Sequence, residues 1–384
     1  MTPLVLYSNA MPLNRGGMGT IAWHACKGLR DAGLLRLVLA PETGAAAELR
    51  EYARGLPWMF RKGMAVMNRL RWHRMHDDFF DRWASTWLQP GMDYYGWFNQ
   101  SLACVRACHE GGGRTALDRG SVEPRLQKRW LVEEYARHGL RSDPMHPLTV
   151  ERMVREADET DMVVAPSSLV ADSYVAAGYK PCKLRVNPLG VDAALYGNGK
   201  KREEHDCLRF VFVGQLSIQK GIPDLLRAWK KLAPAKAELV LAGVIPSMES
   251  GVIEPLLRDA PRVTWNGHCT DVPALLRKCD VLLLPSAQDG FGLVVLEAFA
   301  SGLPVIVSDR VGAQDCVSEG KSGLIFCFGN ENALAERLKY FLDDPGRAGF
   351  MGAVAREAAK KYTWESYGRR VAKLFTEDHH HDHG

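Results

Sequence analysis

Residues 289–309 read DGFGLVVLEAFASGLPVIVSD, directly after the apolar run Val281-Leu282-Leu283-Leu284 and its Pro285-Ser286 stop. The order is strand, glycine loop, short helix, Gly-Leu-Pro turn and second strand, which is one α/β unit. Gly290 and Gly292 remove side chains where the backbone enters the helix. The free N–H groups and the positive dipole end of that helix are then open to a phosphate. Asp289 in the loop and Glu297 inside the helix flank the turn with two carboxylates. A glycine turn alone also serves plain helix–strand packing; with paired acids and a following apolar strand it is more specific.

The surrounding chain has 384 residues, which predicts about two domains, each long enough to bury a core. An apolar share of 46% and a charged share of 24% are those of an ordinary globular enzyme. A net charge of +4 is too small to argue for nucleic acid. Nine dispersed cysteines without a C-x-x-C pair, and no leader segment, predict reduced thiols and a cytoplasmic location. No run of about 18 apolar residues occurs, so no membrane span is expected.

At the N-terminus, a strand over residues 4–7 leads into a loop holding Arg15, Gly16, Gly17 and Gly19. A helix from Thr20 to Ala32 and a strand over 35–39 follow. This order predicts a parallel-sheet domain, with tight helix–strand packing as the alternative use of the glycines. Residues 54–87 interleave large apolar groups with arginines, and read either as a contact for an anionic membrane surface or as a core helix with solvated arginines. Residues 115–121 form a short strand running into Asp118-Arg119-Gly120-Ser121, polar groups at the strand end where open α/β sheets bind ligands. Glu123-Pro124 then starts a helix to His138. Asp118 is the first-domain candidate to orient an acceptor, with Glu123 and His109 behind it; a turn cap or an ion pair with Arg119 is the plain reading of Asp118. A strand over 161–166 follows, and Asn187 to Asp192 form a turn.

The polar segment around GNGKKREEHDC is the best linker in the chain, and after it Phe210-Val211-Phe212-Val213-Gly214 opens a second series of strands and helices. The expected boundaries are a first doubly wound domain over 1–196, a linker over 197–206, a second domain over 207–361, a helix over 362–376 and a disordered tail over 377–384. The loop from Gly214 to Gly221 carries Gln215 and Lys220, and in a parallel sheet it emerges on the same edge as Asp289 to Glu297. Lys220 and the helix beginning near Gly292 would meet a diphosphate, and Glu297 would accept hydrogen bonds from ribose.

On these residues the chain resembles the retaining GT-B glycosyltransferases of family 4. The resemblance runs through Gly16 to Gly19, Asn187 to Asp192, Gly214, Lys220-Gly221, Pro285-Ser286, Gly290 to Gly292, Glu297-Ala298, Gly302 to Val305 and the terminal Tyr362-Thr363-Trp364-Glu365. It implies two Rossmann-like domains around a cleft, with the last helix crossing back to the first. It further implies hexosyl-type transfer from a nucleoside-diphosphate sugar to a saccharide or lipid-linked acceptor. Glu297 would hold ribose, the backbone of Phe291, Gly292, Leu293 and Val294 the diphosphate, and Lys220 the leaving phosphate. The glycine loop of the first domain would approach sugar and phosphate, and the region of His268 would read the base. Two positions depart from the family pattern: Asp289 stands where the first Glu of the motif is usual, and Gln215 where many members have arginine. Arg15 is the expected replacement cation. With the diphosphate neutralised by protein groups, neither cofactor nor divalent metal is expected. A sugar-nucleotide epimerase of the same architecture and a non-catalytic sugar-nucleotide-binding module remain as alternatives; a nicotinamide dehydrogenase lacks an acid after the second strand, where Leu39-Ala40-Pro41 sits.

Overall fold

The computed structural model describes residues 4–13, 16–41, 47–57, 73–197 and 207–377. Two parallel sheets organise them. The first contains β1 (Leu4–Ser8), β2 (Leu35–Ala40), β3 (Ala53–Gly55), β4 (Met92–Trp97), β5 (Thr115–Asp118), β6 (Met162–Ala165) and β7 (Leu184–Val186), in the order β3-β2-β1-β4-β5-β6-β7. The second contains β8 (Leu208–Val213), β9 (Ala237–Ala242), β10 (Val263–Trp265), β11 (Val281–Leu284), β12 (Val305–Ser308) and β13 (Gly323–Phe326), in the order β10-β9-β8-β11-β12-β13. Strand order reverses beside β1 in one sheet and beside β8 in the other. Open parallel sheets bind ligands at the carboxyl ends of the strands flanking such a reversal.

The strands read from the sequence are present, while β3 and the helices Pro147–Glu159, Glu331–Asp343 and Gly346–Ala359 go unread, and two further differences are instructive. The central strand β4 goes unassigned in the sequence reading because all six of its residues are buried, including Asp93. Both faces being covered, no polar alternation marks it; Asp93 is accommodated by Arg114, whose backbone N–H donates to Oδ1 at 2.8 Å. The first helix, Gly16–Asp31, starts earlier than expected and takes the glycines into its first turn.

Of the basic aromatic segment, residues 58–72 lie outside the described residues, as do Arg15, residues 198–206 and residues 378–384. In the described helix His73–Ser85, Phe80 is fully buried, while Arg82 and Met75 are exposed. No described helix is long and apolar enough to cross a membrane.

The terminal helix Trp364–Thr376 begins at Thr363, whose side chain caps it by accepting from Ser366 N. It crosses the helix Gly16–Asp31 of the first domain, where a Cβ on Gly28 would lie 2.4 Å from the Gly368 backbone. The two helices touch backbone to backbone there, which only paired glycines permit. His24 stacks on Trp364 beside this crossing, ring centroids 4.2 Å apart.

Candidate functional site

The loops after β8 and β11, neighbours at the reversal of the second sheet, are locked together by their backbones. Gly221 has φ +71° and a Cβ there would lie 1.9 Å from Pro285 O. That approach brings Lys220 Nζ to 2.5 Å from Asp289 Oδ2, so the lysine and the first motif acid form an ion pair. From Asp289 the chain turns at Gly292, φ +86°, where a Cβ would meet Leu284 Cδ2 at 2.6 Å. The helix Val294–Ser301 then begins. Val295, Leu296, Ala298 and Phe299 are buried in it, and each of the larger side chains contributes roughly 1.5–3 kcal/mol by leaving water. Its N-terminus is thereby held fixed. Among the described residues no acceptor meets the N–H groups of Gly292, Leu293 and Val294. These are the unpaired donors of a helix start, at its positive end. Phe291 contributes backbone only, since its ring is 4% exposed in the core.

Glu297 is half-buried in the same helix. Burial pushes its carboxyl above the usual range, and a hydrogen bond from the Tyr196 hydroxyl opposes that shift. Tyr196 is missed by sequence reasoning, since it lies about a hundred residues away in the short helix Ala193–Gly197. Gln215 and His268 are exposed at the ends of β8 and β10, beside the close-packed turn at Gly243.

The first domain presents its own strand ends to these loops. Gly290 packs on it directly: a Cβ there would sit 2.2 Å from Gly120 O. This corrects the sequence reading of Gly290 as a glycine kept free for phosphate. Ser167 Oγ donates to Gly290 O at 2.7 Å, and Ser168 Oγ bonds to Asp315 at 2.6 Å. Gly16 and Gly17, in contrast, have nothing among the described residues within 4 Å of an added Cβ, and Gly16 has φ +65°; Gly19 is buried on the same helix.

The first-domain acids are placed differently from their sequence reading. Asp118 ends β5 but is only 6% exposed, and its charge acts on Tyr7, Cys26, Tyr95 and Tyr367. Burial pushes its carboxyl up to about 7. A hydrogen bond from the Tyr95 hydroxyl opposes that shift, and Tyr95 also faces Tyr367, so the carboxyl is enclosed by a tyrosine cluster. Arg119 does not pair with it, donating instead to Val122 O at 2.8 Å and Gln127 Oε1 at 2.6 Å. Glu123 is an N-cap, accepting from Arg125 N and Leu126 N. His109 is excluded as a base at this edge, because it bonds Asp161 Oδ2 at 3.0 Å beside Thr115, the opposite end of β5 from Asp118.

One group of potential metal donors converges among the described residues: Glu134, His138 and Asp224, between the domains. Their hydrogen bonds argue for an ion network instead. Arg227 Nη2 lies 3.1 Å from His138 Nδ1, and a guanidinium only donates. His138 therefore carries its proton on Nε2, which faces Glu134 Oε1 at 3.0 Å. Arg137 meanwhile pairs with both Glu134 and Asp224. The network joins the helix Pro124–Arg137 to the second domain, as does Tyr135, whose hydroxyl donates to Glu249 Oε1 at 2.7 Å.

Two doubly wound parallel sheets with their carboxyl edges turned to one another define the GT-B class of fold. Solved structures agree: that of Anabaena HepE in complex with UDP superposes with TM-score 0.69 over 97% of this chain and 99% of that one at 17% identity. Sucrose-phosphate synthase from Thermosynechococcus elongatus gives 0.70 over 98% of each at 20% identity. The sequence comparison bears on the second domain, where residues 207–344 match the family model "Glycosyl transferases group 1". Among curated relatives, sulfoquinovosyl transferase SQD2 of Arabidopsis thaliana is 28% identical over 263 residues, 65% of this chain and 48% of that one. A D-inositol 3-phosphate glycosyltransferase of Corynebacterium urealyticum is 28% identical over 249 residues, 59% and 58% of the two chains. The matches thus span about half the length of these relatives.

Proposed function

We propose that the protein transfers a sugar from a nucleoside-diphosphate sugar to a hydroxyl of a saccharide or lipid-linked acceptor, with retention at the anomeric carbon. The observation that carries this is the convergence of the Lys220 ammonium and the unpartnered N–H groups of Gly292 to Val294 at the strand reversal of the second sheet. Before donor binds, Asp289 serves as the anion that holds Lys220. A partly exposed ion pair contributes only about 1 kcal/mol, so a diphosphate seated on the helix N-terminus can take the ammonium over. Asp289 is then free to accept a hydrogen bond from the sugar, which accounts for an aspartate at this position. Glu297, oriented by Tyr196, is the acceptor for the ribose hydroxyls.

In the reaction the bond from the anomeric carbon to the β-phosphate oxygen breaks, and the bond to the acceptor oxygen forms on the same face. The acceptor proton passes to the departing phosphate. Negative charge develops on the diphosphate, where Lys220 and the helix amides stabilise it most, and this electrostatic term is the main source of rate. No protein nucleophile enters. Asp118, buried against a tyrosine cluster, is given a structural role in this reading rather than a contact with the sugar.

The test is a melting-temperature screen over UDP-, GDP- and ADP-linked sugars, followed by assay of nucleoside diphosphate release with and without acceptors. UDP-glucose comes first, because the structural neighbour HepE has been solved with it. Acceptor-dependent release supports transfer. Tight binding without release supports a binding module, and no response to any nucleotide refutes the donor site.

A further inference from the structure

Gln288 lies next to Asp289, is 2% exposed and has a partner in each domain. Its Nε2 donates to Ser121 Oγ at 2.5 Å, in the first-domain loop after β5. Its Oε1 accepts from Gln219 Nε2 at 3.1 Å, and the same Nε2 reaches the Gln288 main-chain carbonyl at 3.3 Å. Ala287 N in turn donates to Gln219 O at 2.8 Å. The residues that follow the two glutamines, Lys220 and Asp289, form the ion pair. Two consecutive residues of one loop are thus tied to two consecutive residues of the other. Ser121, 8% exposed, is the outside anchor of this ladder. Its backbone is fixed by the contact with Gly290, where a Cβ would come within 2.8 Å of Ser121 N.

We propose that Gln288 is a positioning residue that transmits docking of the first domain to the Lys220–Asp289 pair. A side-chain amide has a donor end and an acceptor end. With Ser121 taking an N–H, the oxygen is directed at Gln219; without Ser121 the amide loses that direction. Because Gln288 is buried, the lost partner is not replaced by water, and the full cost of an unpaired polar group falls on the ladder. Lys220 is therefore held in register with the helix amides only while the first domain is in place. The donor site is completed by the domain that brings the acceptor, which disfavours spending the donor on water. The inference rests on the reading of Lys220 and Asp289 as donor-site groups.

Ser121→Ala, Gln288→Leu and the double variant test it in the full chain. Each single substitution is expected to lower kcat roughly tenfold, the cost of one buried hydrogen bond, while the UDP dissociation constant measured by calorimetry moves less than about twofold. The double variant is expected to be no slower than the slower single, as for two residues of one ladder. Amide hydrogen exchange on the unliganded protein gives a readout independent of turnover. Ser121→Ala, the milder change, is expected to speed exchange in residues 217–221 and 287–289 of the other domain. Multiplicative losses in kcat, an equal loss in UDP affinity, or exchange altered only around residue 121 would overturn the relay. If the unmodified protein turns over no donor, the glycosyl-transfer reading fails, and the exchange result alone decides whether Gln288 couples the domains.

Discussion

Two glycine turns, one at the start of each domain's ligand-facing helix, read alike in sequence and differ in what surrounds them. Gly290 is a glycine because another backbone occupies the place of its side chain. Gly16 and Gly17 are glycines beside which none of the described residues comes within 4 Å of an added Cβ. A missing side chain signals close approach, but only the fold tells whether the approaching group is protein or ligand. The second domain uses Gly290 for docking and leaves the N–H groups of Gly292 to Val294 without acceptors among the described residues.

The largest effect that would sharpen this contrast is expected of Gly290→Ala. The added carbon overlaps Gly120 O, so the domains must part. Turnover should fall by at least roughly a hundredfold, as misplacement of reacting groups does, with an increased radius of gyration in solution scattering. Unchanged scattering and rate would break the docking assignment. Next comes Lys220→Ala, expected to lower kcat/KM roughly a hundredfold by removing a charge-stabilising group. Steady-state kinetics with the donor found by screening measures it; a loss confined to KM would mean that Lys220 serves binding alone. Gly17→Ala should separate stability from function. Alanine favours a helix over glycine by about 0.5–1 kcal/mol, so the melting temperature should hold or rise while the donor KM rises about tenfold. An unchanged KM would show that the open space is not used.

A smaller effect concerns pH. Burial raises the Asp118 carboxyl to about 7, against about 4 in an unfolded chain. The folded state binds the proton more tightly, so the stability this group contributes is present below about pH 4 and is lost as pH rises through about 7. Asp118→Asn should remove part of the decline in melting temperature over that window. Glu156, also raised to about 7 by burial, retains its own part. Equal slopes in the two proteins would show that Asp118 is ionised throughout. The smallest effect expected is none: EDTA should leave turnover unchanged, since in the proposed site lysine and amides take the place of a metal and arginines occupy the Glu134–His138–Asp224 donors. Activity lost to EDTA and restored by magnesium would contradict this.

Much of the second domain was legible because its signals are local. Apolar runs such as Val281 to Leu284, glycines at helix entrances and Lys220 beside Gly221 follow from periodicity and turn chemistry within a few residues. The first domain was less legible. β4 shows no alternation because both of its faces are covered. The helix Gly16–Asp31 began inside a glycine run that reads as loop. His109 and Asp118 flank one short strand in sequence, yet opposite ends of that strand separate the sheet's ligand-binding edge from its back.

For residues 289–309, sequence by itself determined the strand, turn and helix, the free amides of the helix start and the two acids, because those depend on neighbours along the chain. Tertiary structure decided what each group touches: Asp289 on Lys220, Glu297 on Tyr196, Gly290 on Gly120, Gln288 on Ser121. These partners lie some seventy to a hundred and seventy residues apart. Their meeting follows from the order of strands in two sheets and the docking of one sheet edge on the other, which no local pattern encodes.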